Sequence, residues 1–87
     1  MSEGGWTSYR KCNPDDCQLF GAACKEMLSH GYKPQYVATQ VVGGTNYSFI
    51  CEGTEKTSPP QVDLFKVTGF EPLHGKLKLK SFEKIEP

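Results

Sequence analysis

No stretch of this sequence is apolar for anything like the 18 or so residues that a membrane-spanning helix needs. Net charge is absent too, since ten basic side chains balance ten acidic ones. With no basic field and no aromatic-basic stripe, nucleic acid and membrane surfaces are excluded as expected partners. The N-terminus has no basic segment followed by an apolar one, so no signal peptide is read and the expectation is cytoplasmic. A mature secreted form starting at a new Met reads the same. None of the four cysteines forms a C-x-x-C pair, and neither histidine stands at zinc-ligand spacing, so no metal or cofactor is expected. Spacing alone leaves the cysteines as small buried thiols, as a Cys12–Cys17 pair, or as one helix cysteine bonded to Cys51. Cys17 to Cys24 on one helix is about 10 Å, too far for a disulfide.

What is present suits one small domain over residues 1–87. Apolar residues make up 37% of the chain and the mean hydropathy is −0.51. That composition supports one sheet covered by one helix. Residues 1–12, polar and glycine-bearing, read as an extended, mobile arm. At Asn13-Pro14-Asp15-Asp16 a cap, a first-turn proline and two acids mark a helix start. Cys17, Phe20, Cys24 and Met27, flanked by Ala23 and Leu28, recur on one helical face, which predicts a helix over 14–29. Gly31 and Pro34 end it. Four strands follow, over 36–42, 46–52, 61–70 and 76–80. Gly43-Gly44 supplies positive φ for the first reversal, 53–60 is a polar loop, and Pro72-Leu73-His74-Gly75 makes the last reversal. Tyr47, Phe49 and Cys51 share the core face, with Ser48 and Glu52 toward water. The fold class is α+β, one helix across a four-stranded antiparallel sheet.

Enzymatic readings fail on chemistry. A thiol nucleophile needs a base within reach, and only His30, placed in the last helical turn, and His74, placed in a tight turn, are available. No G-x-S-x-G, H-E-x-x-H or P-loop occurs. Lys76, Lys78 and Lys80 alternate on the last strand, a pattern that keeps an edge from pairing with other chains.

Gln40-Val41-Val42-Gly43-Gly44-Thr45-Asn46-Tyr47 contains Gln-x-Val-x-Gly at Gln40, Val42 and Gly44. Gly4-Gly5 precedes it, and a proline-bearing second hairpin follows. In these features the chain resembles the cystatins, most closely the stefin type, from arm to last hairpin. The resemblance implies a cystatin-like fold and reversible, competitive, non-covalent inhibition of papain-like (cathepsin-type) cysteine proteases. It implies a wedge made of Gly4, Gly5, Gln40 to Gly44, and Pro72, Leu73 and His74. Trp6, next to the glycine pair, packs on the protein or reaches the protease, and we favour contact. Leu73 stands where secreted cystatins carry tryptophan, the segment between arm and motif is shorter than in stefins, and three cysteines lie between the glycine pair and the motif. These departures read as those of a divergent, microbial member. The alternative is a cystatin-fold binding module without inhibitory activity, engaging another protein through the same edge or the lysine strand. A monomer is expected, and Gly43-Gly44 is the hinge that a domain-swapped dimer would use.

Overall fold

A computed structural model describes residues 4–25, 31–55 and 58–86. Chain order is β1 (Arg10–Lys11), α1 (Pro14–Ala23), β2 (Lys33–Val42), β3 (Gly44–Glu55), β4 (Gln61–Pro72) and β5 (Lys78–Lys84). The strands form one open antiparallel sheet in the order β1-β2-β3-β4-β5. The class is α+β, but the sheet has five strands where the sequence predicts four. The added strand comes from the arm, where Arg10 pairs with Val37 and Lys11 with Tyr36.

The start of α1 follows the local chemistry. The Asp16 N–H donates to the Asn13 side chain while the Asn13 N–H donates to the Asp16 carboxylate, both at 2.9 Å. This reciprocal cap satisfies two amides that the helix itself leaves unpaired. Arg10 clamps the same carboxylate from the arm, Nη1 to Oδ2 at 2.6 Å and Nη2 to Oδ1 at 3.0 Å. The other end departs from expectation. Cys24 leaves helical geometry at φ −153° and ψ 84°, so α1 stops at Ala23 instead of running unbroken to 29. Met27, Leu28 and His30 lie outside the described residues.

The guanidinium of Arg10, followed by the Asn13 N–H, holds the Asp16 carboxyl below its ordinary range. A lowered folded-state value means stability that is present above the unfolded value of about 3.9 and lost as pH falls through the folded one. We therefore expect acid unfolding followed by circular dichroism to show a component below about pH 4 that Asp16→Asn removes.

The core lies between α1 and one sheet face, where Phe20, Val37, Phe49, Cys51, Val67 and Leu77 are buried together. Phe20 meets Phe49 edge-on at 5.1 Å between ring centres, and Tyr47 stacks beside Phe49 at 5.7 Å. The predicted core face of β3 is therefore correct. Ser48 is not: it is buried on the opposite face, beneath the arm.

Strand limits also move, for reasons of packing. β2 begins at Lys33, with Pro34 inside it at a register shift, a place where a missing N–H is tolerated. β3 runs on through Gly53 to Glu55 instead of ending at 52. A Cβ at Gly53 would stand 2.3 Å from the ring of Tyr32, so only glycine lets that ring lie on the strand. Tyr32 in turn meets Phe65 and Phe82 edge-on at 5.0 and 5.5 Å. β4 reaches Pro72, and β5 occupies 78–84 instead of 76–80. Leu77, just ahead of β5, is buried in the core, with one methyl carbon 3.1 Å from where a Gly69 Cβ would be. No described helix is long and apolar enough to cross a membrane.

Candidate functional site

The β2–β3 reversal is as tight as a hairpin allows. Val42 and Gly44 are direct Cα partners, so Gly43 alone makes the corner. The positive φ expected of both glycines belongs only to Gly44, at 138°. Gly44 is buried, and a Cβ there would lie 2.6 Å from the Glu71 carbonyl oxygen and 2.7 Å from Cζ of Phe70. Gly43 is exposed, and a Cβ on it would meet nothing within 4 Å. The two glycines thus divide the work: Gly44 permits the turn and Gly43 presents a bare backbone.

Around that corner Val41 is 63% exposed and Val42 half-buried. Gln40 is half-buried, and its side-chain carbonyl accepts from Asn46 Nδ2 at 3.0 Å across the hairpin. Behind the tip, the Tyr47 hydroxyl donates to Glu71 at 3.2 Å, tying β3 to β4. Burial, then the Glu71 carboxylate, pushes the Tyr47 phenol above its ordinary range.

Pairing brings the second hairpin alongside. Gly44 and Pro72 are Cα partners, so the turn after Pro72 emerges next to the Gly43 corner. The Gly75 N–H donates to the Pro72 carbonyl at 3.3 Å, closing a four-residue turn with Leu73 and His74 at its outer positions. Leu73 is 75% exposed and His74 is exposed. A single exposed leucine is ordinary on a surface; what singles Leu73 out is its place at a turn tip beside the Gly43 corner.

The third segment reaches the same end by direction. The arm runs antiparallel to β2, so stepping back from Arg10 toward Gly4 follows β2 toward its tip. Thr7 still bonds the strand: its N–H donates to the Thr39 carbonyl at 2.8 Å, and its hydroxyl accepts from the Thr39 N–H at 3.0 Å. Gly4 and Gly5 are exposed, with nothing within 4 Å of a Cβ on either. Trp6 is 49% exposed, its ring walling a hollow with Tyr9, Ala38, Ser48 and Thr68 on the sheet face away from α1. Trp6 therefore packs in part on the protein itself, where the sequence reading favoured contact with a protease.

Arg10, Thr7, Tyr9 and Asp16 were not among the expected site residues. The first three hold the arm, and only the acid at the helix start had a sequence signal, as a first-turn charge.

All four cysteines are free thiols. Burial pushes Cys51 up to about 12 and Cys12 up to about 11, leaving both protonated at neutral pH. His74 stands at the exposed turn while Cys51 is in the core, so these two do not make a nucleophile–base pair. Among the described residues no group of three His, Cys, Asp or Glu is placed to hold a metal ion. Iodoacetamide at pH 8 should therefore spare Cys51 in the folded chain and label it after denaturation, as read by peptide mass spectrometry. Labelling of the native chain at Cys51 would contradict its placement. In comparison with known proteins, no family model, curated protein or solved structure matches this chain.

Proposed function

We propose that this chain is a reversible, competitive, non-covalent inhibitor of papain-like cysteine proteases, with a cystatin-like arm and two hairpin tips entering the active-site cleft as a wedge. The observation that carries this reading is the Gly44–Pro72 pairing, which seats the Gly43 corner beside the exposed Leu73-His74 turn. A cleft floor accepts a backbone that has no side chain in the way, and Gly43 offers one. Val41 and Leu73, both exposed, supply apolar area on either side of that corner. Both tips are rooted in paired strands, so little conformational freedom remains to be lost on binding. Three short segments of this kind match an interface of about 800 Å² per partner. Cleavage is avoided because a one-residue corner does not lay an extended peptide bond across a nucleophile.

The test is steady-state inhibition of papain by the purified chain. The apparent KM should rise with chain concentration while kcat holds, activity should return on dilution, and the chain should stay intact by mass. An absence of inhibition at micromolar concentration overturns the reading, and capture of a non-protease partner would then favour a binding module of the same shape.

A further inference from the structure

On the sheet face away from α1, Ala38 and Ser48 are only 2% and 3% exposed. The arm is what covers them. The Tyr9 hydroxyl meets Ser48 Oγ at 2.5 Å, and the rings of Trp6 and Tyr9 wall a hollow of about 230 Å³ over Ala38, Ser48 and Thr68. Along the strand edge Thr7 makes its double contact with Thr39, and on the helix side Arg10 holds Asp16. The arm is thus gripped on three sides between residues 6 and 10, directly before the bare Gly4-Gly5 pair. Of these grips, the Tyr9–Ser48 contact reaches furthest, from the arm across β2 to β3.

We propose that Tyr9, through its hydroxyl contact with Ser48, is a positioning residue that holds the arm on the sheet and so presents Gly4-Gly5 at the hairpin end before a protease arrives. The consequence for inhibition rests on the function proposed above. The arm contact itself does not. Two glycines without neighbours sample many conformations, and anchoring the residues just behind them removes freedom that binding otherwise has to remove.

Trp6 is the only tryptophan, so its fluorescence reports the arm directly. The variant is Tyr9→Phe with Ser48→Ala, which removes both hydroxyls together and strands no buried polar group. Acrylamide should quench Trp6 more strongly in the variant than in the parent, with no protease present. The inhibition constant against papain should rise about two- to tenfold, the range that the net contribution of one hydrogen bond sets. In a full-length Gly5→Glu chain, whose arm is blocked from a cleft, the same double substitution should change the inhibition constant no further. An equal loss in both backgrounds would mean a purely structural contact and would overturn the proposal. Unchanged quenching would overturn it as well, whatever the inhibition data. A parent chain that fails to inhibit, together with raised quenching in the variant, upholds the arm contact and overturns only the reading of the hairpin end.

Discussion

Gly43→Arg is expected to raise the inhibition constant against papain about a hundredfold, or about 2.8 kcal/mol, while the fold stands unchanged. The position invites this separation of effects. Gly43 is exposed, its φ is outside the left-handed region, and an added side chain meets nothing within 4 Å. Stability should therefore be insensitive to the change. The proposed contact should not be, because the corner is central to the wedge, and the few residues whose change costs about 2 kcal/mol or more cluster near an interface's centre. Its neighbour behaves in the opposite way. Gly44 has φ 138°, and a Cβ there would collide with the Glu71 carbonyl and the Phe70 ring. Gly44→Ala should destabilise the hairpin by more than about 1 kcal/mol, so loss of inhibition in that variant says little about contact. Thermal melting alongside inhibition distinguishes the two glycines. A Gly43→Arg chain that melts normally and inhibits normally would remove the corner from the contact.

Phe49→Ala should have the largest effect on stability, about 3–5 kcal/mol. Phe49 is fully buried, meets Phe20 of α1 edge-on and stacks on Tyr47 of its own strand. Removing the ring opens a void between helix and sheet that neither neighbour fills without moving. A domain of this size has a total stability of about 4–13 kcal/mol, so the loss is a large share of it. The melting temperature should fall by about 12 °C or more. A fall of a few degrees would mean that the helix is not seated on Phe49 as described.

Much of this architecture is legible in the residues. Asn13, Pro14 and Asp16 mark the helix start because capping is a local matter, settled within four positions. The alternation of Tyr47, Phe49 and Cys51 marks the buried face of β3, and Pro72 with Gly75 marks the last turn. What escaped detection depends on partners distant in the chain. Thr7 bonds a residue 32 positions away and Tyr9 one 39 away, so no local pattern signals that the arm is a strand. β1 pairs through its backbone over two residues, too few for any periodicity. Ser48 looked solvent-facing because alternation describes the sheet and not what lies on it. Gly53 looked like a loop residue, whereas it is a strand glycine beneath the ring of Tyr32. The sequence placed both chain reversals where the structure has them but could not separate Gly43 from Gly44, since their difference lies in φ and in the nearness of Phe70.

The most direct test of the wedge is calorimetric binding to papain whose catalytic thiol is blocked by a small group. A contact that needs no chemistry with the nucleophile predicts one-to-one binding at micromolar affinity or tighter, lost in Gly43→Arg. No binding heat at two temperatures with the parent chain, or equal binding by the Gly43→Arg chain, would contradict it.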